Sequence, residues 1–179
     1  MRKILCLMVI CLLLICSTAY SVDLSEFPDF FIKDNNANVV VIVGKAARAD
    51  DVLGAIDIVV ALQQRIGSKK LDIAKLDDDV EVLSEQNTII IGGPCANSAA
   101  ANLKGYPDNC LKGFEVGKGY IELYEFDNGN IAMLIAGTAA IDTRRATRVV
   151  SNYKDYKLTG KQMVISEVIL NDISVGSKS

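Results

Sequence analysis

Three short stretches carry residues that could do chemistry. Cys95 follows Gly92-Gly93-Pro94 at a predicted helix start, a position that lowers a thiol pKa and favours the reactive thiolate. Asp142-Thr143-Arg144-Arg145 follows an apolar run that ends at Gly137. Strand-to-helix junctions of that kind hold ligands in α/β proteins, and arginines there suit an anion. The acidic run "LDDDVE" at 76–81 could attract calcium.

Each stretch also has a plainer reading. The chain has no histidine, so the commonest triads and acid–base pairs lack their central member. Two cysteines without histidine make a poor zinc site. Three of the five cysteines, Cys6, Cys11 and Cys16, lie near the N-terminus, which leaves Cys95 and Cys110. An even pair in a secreted domain reads as a disulfide, and closing a loop of about 15 residues stabilises by roughly 3 kcal/mol in the chain-entropy model. The acidic run lacks the spacing of a calcium loop. Gly44-Lys45 lacks the spacing of a phosphate loop, and no Gly-x-Gly-x-x-Gly is present. Neither a metal nor a cofactor is expected.

On a helix, Ala146, Val149, Val150 and Tyr153 share the buried face. Arg144 and Arg148 fall one turn apart on the outward face, and Arg145 is within i,i+3 reach of Asp142. Asp142 is placed to act as the helix cap. Arg144, Arg145 and Arg148 stand as candidate contacts for a ligand or a partner.

The elements that must position these residues are legible as a pattern. "VVVIVG" at 39–44, "NTIIIGG" at 87–93 and "IAMLIAG" at 131–137 are continuous apolar runs, as in strands buried on both faces. Asp127-Asn128-Gly129-Asn130 is a hairpin turn joining 119–126 to the last of these runs. A first helix follows residue 44, with Asp50 or Asp51 near its start and Gly67 as its stop. Val52, Ile56, Val59, Val60 and Leu62 fall roughly on one face of it. An alanine-rich helix follows Pro94 and ends at Gly105, and a third spans the Asp142 stretch. A short strand near 71–74, a last strand within 161–170 and a loose tail over 171–179 complete the reading. The fold class is α/β in three layers: a mainly parallel sheet with one antiparallel hairpin and helices on both faces.

Residues 1–21 have the layout of a secretory signal: Arg2 and Lys3, an apolar run over 4–15, then small and polar residues. The run is shorter than the roughly 20 residues of a membrane span, so no stable transmembrane anchor is expected after cleavage. Removal of 1–21 takes two basic residues and no acid, leaving 17 against 22 and a net charge of −5. An acidic surface excludes nucleic acid as a natural partner. The expected division is a signal peptide at 1–21, an N-terminal extension at 22–37, an α/β domain at 38–170 and a tail at 171–179.

Taken together, "VVVIVGKAARADDVLGAIDIV", "TIIIGGPCAN", "NCLKGFEVGKGYIELYE" and "IAGTAAIDTRRATRVVSNYKDYKLTGKQMVI" resemble the archaeal S-layer protein domain over about residues 38–166. The strand–glycine–helix units are more faintly similar to the bacterial type 2 cell-wall-binding repeat. The resemblance implies a secreted or cell-surface structural module, not an enzyme, that acts through contacts with other surface-layer or envelope proteins or with itself. Full subunits of that kind are longer, so this chain reads as a single-module relative. The alternative is a secreted binding protein or enzyme for an anionic small molecule or glycan, held in the crevice at Gly92, Gly93, Gly137, Arg144 and Arg145.

Overall fold

The computed structural model describes residues 21–67, 72–169 and 172–177; almost all of the expected signal segment lies outside them. A small ribbon, β1 (Ile32–Lys33) and β2 (Asn36–Ala37), leads into β3 (Val40–Val43), helix α1 (Ala49–Ile66) and β4 (Ala74–Leu76). Then come β5 (Thr88–Ile91), helix α2 (Ser98–Leu103), the hairpin of β6 (Lys118–Glu125) and β7 (Ile131–Gly137), helix α3 (Ala140–Ser151), β8 (Gln162–Ile169) and β9 (Asp172–Ser177).

Strands β3 to β9 form one sheet in the order β4-β3-β5-β7-β6-β8-β9. The β3–β4, β3–β5 and β5–β7 pairs are parallel, and the β6–β7, β6–β8 and β8–β9 pairs are antiparallel. Only β6 and β9 therefore run against the majority direction. Strands β5, apolar after Thr88, and β7 are central and buried at every position, as expected of strands covered on both faces. Residues 172–177, expected as part of a loose tail, instead form β9 along the free edge of β8. The alternation of Ile173 and Val175 with polar neighbours is the period of a strand.

Alternation also divides the core. Val41, Val43, Ile89, Ile91, Met133 and Ile135 point to one face, where they meet Ala55, Ile58 and Leu62 of α1 and Ala146, Val149 and Val150 of α3. Ile42, Ile90, Ala132, Leu134 and Ala136 point to the other, where Ala99 and Ala100 of α2 pack with Leu83. The 22–37 extension is built into the first core: Leu24, Phe27 and Phe31 are buried there, and the Asp23 carboxylate accepts from the Gly160 N–H at 2.9 Å.

Helix α1 turns a different face to the sheet than the sequence pattern suggests. Its buried residues include Gly54, Ala55, Ile58, Ala61 and Leu62, while Val52, Ile56 and Val60 are exposed. Small residues decide this. A Cβ added at Gly54 would lie 2.7 Å from the Thr147 hydroxyl of α3, so α1 and α3 approach each other at a spacing that larger side chains would forbid.

Candidate functional site

The loops that leave the carboxyl ends of β3, β5 and β7 enclose a crevice of about 640 Å³. It forms where the connections from β3 and β5 diverge, the usual ligand position in open α/β sheets. Glycines let the three loops crowd together. A Cβ at Gly44 would sit 1.9 Å from the Ala96 carbonyl oxygen, and one at Gly137 would sit 2.4 Å from the Asp142 Cβ.

Below the crevice, Asn97 ties two strand ends to α2. Its amide donates to the carbonyls of Ile42 (3.3 Å) and Ile91 (2.9 Å). Its oxygen accepts from the N–H groups of Ala99 (3.0 Å) and Ala100 (3.3 Å). The helix start is thus capped by Asn97 rather than entered at Pro94. Asp77 makes a similar bridge from the acidic run, accepting from the N–H of Lys45 at 2.8 Å and of Ser98 at 2.6 Å. Burial alone would raise its carboxyl, but these hydrogen bonds outweigh it and hold the pKa below the usual range. Asp78 pairs with Lys45. The acidic run holds loops together, and the described residues include no cluster able to hold a metal ion.

Helices α1 and α3 begin alike beside the crevice. At each start, a carboxylate in the first turn reaches back to the preceding loop. Asp51 accepts from the Arg48 N–H at 3.1 Å. Asp142 accepts from the Ala139 N–H at 3.2 Å and from the Thr138 hydroxyl at 3.1 Å. Arg48 and Ala139 return no side-chain bond to the helix, so each start uses one half of a capping box.

The candidate arginines lie apart from the crevice lining. Arg145 donates to Asp142 at 2.6 Å. Arg144 does not project outward; it pairs with Asp57 of α1 and is only 12% exposed. The close packing of α1 on α3 that Gly54 permits brings the two together. Arg148 is exposed on α3. Cys95 and Cys110 are joined in a disulfide, with Cα atoms 5.1 Å apart, so the sulfur near the crevice is not a thiolate.

The crevice does contain one unusual acid. Asp51 is 3% exposed, and its Oδ1 is buried with no hydrogen-bond partner. Burial raises its carboxyl pKa, against the pull of the Arg48 N–H and of a Thr143 hydroxyl whose placement falls short of a regular hydrogen bond. A second buried polar group lies on the opposite face of the sheet, under the 105–117 loop. There Glu122, 3% exposed, accepts from Lys104 at 2.7 Å and from the Tyr124 hydroxyl at 2.5 Å. Burial, followed by the hydrogen bond to Glu122 and then its charge, pushes the Tyr124 phenol far above its ordinary range.

Of these residues, sequence reasoning named Asp51 only as a helix-start acid, met Asp77 only within the acidic run at 76–81, and gave no role to Asn97 or Glu122. Asn97 was open to detection as an N-cap, since it immediately precedes Ser98 and three alanines. No sequence signal marks Glu122, which sits in an alternating strand where an acid ordinarily faces water.

Fold and site together define a three-layer α/β module whose strand-end crevice is braced by a disulfide, capped helices and internal ion pairs. Residues 23–71 match the model of the S-layer like family, outer domain. That stretch runs from the N-terminal turns through β3 and α1, and it supports the likeness to an S-layer domain. The Gly92–Asn97 and Asp142–Arg145 motifs lie beyond it. No match was found among curated proteins. Among the described residues, no helix is long and apolar enough to cross a membrane.

Proposed function

We propose that this protein is a secreted, non-enzymatic structural module of the cell surface, which acts through contacts with envelope proteins or with itself. The match of residues 23–71 to an S-layer like outer domain carries this reading. The geometry agrees with it. Two of the three candidate arginines are engaged with carboxylates of their own chain, and the cysteine beside the crevice is in a disulfide.

An anionic ligand in the crevice fits the geometry less well. The buried group there is the Asp51 carboxylate, which repels an anion unless protonated.

Cell fractionation tests the reading. The protein is expected in the envelope fraction, released by agents that dissolve surface layers. Recovery of all of it free in the medium would overturn the proposal.

A further inference from the structure

The crevice brings together two kinds of group that the fold leaves unused. Helices α1 and α3 both start there, with Asp50, Ala140 and Ile141 in its lining, and neither start has a side-chain cap. In α3 the first turn is closed by the Asp142 and Thr143 N–H groups, which both donate to the Ala139 carbonyl. The N–H groups of Ala140 and Ile141 come before that bonding and are left as donors at the crevice. Asp51 supplies an acceptor. It lines the same space and is 3% exposed. Its Oδ2 is held by the Arg48 N–H, but its Oδ1 has no partner, and a buried acceptor without a donor is costly. A Cβ at Gly92 would lie 3.9 Å from that oxygen and 3.9 Å from the Asn97 Cβ, so the bare glycine leaves a space of atomic width beside it.

We propose that the crevice binds a neutral saccharide through adjacent hydroxyl groups, which donate to Asp51 Oδ1 and accept from the N–H groups of Ala140 and Ile141. This binding goes beyond the surface role and does not depend on it. A hydroxyl both donates and accepts, so one type of group serves both halves of the site. The volume, about 640 Å³, falls within the roughly 300–1,000 Å³ of small-molecule sites. Leu111 and Ile141, both exposed, line the same space and offer apolar contact to the C–H face of a sugar ring.

The charges select a neutral ligand. An anion would suit the two helix starts but would meet the carboxylates of Asp50 and Asp51. Arg48, also in the lining, balances only one of these acids. An ammonium group would suit the carboxylates but would meet the positive ends of two helices. A hydroxylated, uncharged ligand uses both the donors and the acceptor and is opposed by neither.

Amide NMR of the purified protein, titrated with glucose, galactose, mannose and N-acetylglucosamine, tests the site. At least one sugar is expected to give saturable shifts centred on Gly93, Ala140 and Ile141. Ala140→Pro removes one donor at the first helical position, where proline is favoured, and Ala139 before it is already extended. It is expected to weaken binding about fivefold, the worth of one hydrogen bond, with thermal unfolding unchanged. Asp51→Ala should lose binding altogether, with its fold checked in the same spectra. The methyl glycoside of the bound sugar separates two sources, and either result supports the site. Undiminished binding points to a glycan linked to another molecule, and lost binding to a free sugar. The absence of saturable shifts with all four sugars would overturn the proposal. So would stronger shifts at these amides with inorganic phosphate or methylamine, or wild-type binding by both Ala140→Pro and Asp51→Ala. Envelope retention is scored separately, so a sugar-binding protein found wholly in the medium sinks the surface role alone.

Discussion

Gly119 and Gly137 face each other across the β6–β7 pair, and the first turn of α3 packs onto the bare backbone they leave. A Cβ at Gly119 would lie 2.6 Å from the Asp142 carbonyl oxygen, and one at Gly137 would lie 2.4 Å from the Asp142 Cβ. Those neighbours are backbone and near-backbone atoms, which cannot swing aside.

Gly137→Ala is accordingly expected to destabilise the fold by about 3 kcal/mol, the upper end for overpacking, seen as a lower urea midpoint. Gly176→Ala, with open space around it, should change the midpoint by less than about 0.5 kcal/mol. Equal effects of the two would mean that the sheet yields to α3 and that the glycine pair does not set their spacing.

Much of the sheet could be read in the sequence because β3, β7 and β5 after Thr88 are short apolar runs rich in valine and isoleucine, the pattern of buried strands. The facing of α1 could not. That helix is apolar on two sides, and Val52, Ile56 and Val60 look like a core stripe until Gly54 and Ala55 are seen to pack on α3. Periodicity reports how apolar residues are spaced, not which of two apolar faces the small residues will bury. The crevice was legible in outline, from glycines at strand ends. Of the candidate arginines, Arg144 was placed wrongly with respect to solvent because its partner, Asp57, is distant in sequence. Neither spacing nor composition encodes such a pairing.

The disulfide closes the 95–110 loop, which contains α2 and the turns that follow it. Cys95→Ser with Cys110→Ser is expected to lower stability by roughly 3 kcal/mol in the chain-entropy model. The far-ultraviolet spectrum should be retained, because β5 and β7 remain buried without the bond. An unchanged denaturation midpoint in the double variant would show that the cross-link adds little to the closure already provided by Asn97 and Asp77.

Lys104 and Glu122 form an ion pair with 20% and 4% of their side chains exposed. Removing one partner of such a pair costs more than the pair contributes, because the other charge stays buried. Lys104→Met should therefore cost about 3 kcal/mol, while adding Glu122→Gln should restore part of that loss. The Tyr124 hydroxyl still has an amide oxygen to bond in the double variant. If the double variant is the less stable of the two, the buried charge is not what the single variant suffers from.

Asp51 gives the pH dependence a definite sign. Its folded carboxyl titrates above the ordinary value of 3.8, first because it is buried. Between the unfolded and folded values the folded state binds the extra proton, so stability falls as pH rises through that window. Asp23 and Asp77, whose carboxyls are lowered by hydrogen bonds, act in the opposite sense and lose their contribution as pH falls. These two are common to the wild type and to Asp51→Asn, so the difference between the proteins isolates Asp51. The asparagine oxygen can still accept from the Arg48 N–H. The variant's advantage in urea midpoint should then grow from acid pH upward and level off once the wild-type carboxyl is ionised. A difference that is flat between about pH 3 and 8 would mean that Asp51 titrates normally and that water reaches its unpartnered oxygen from the crevice.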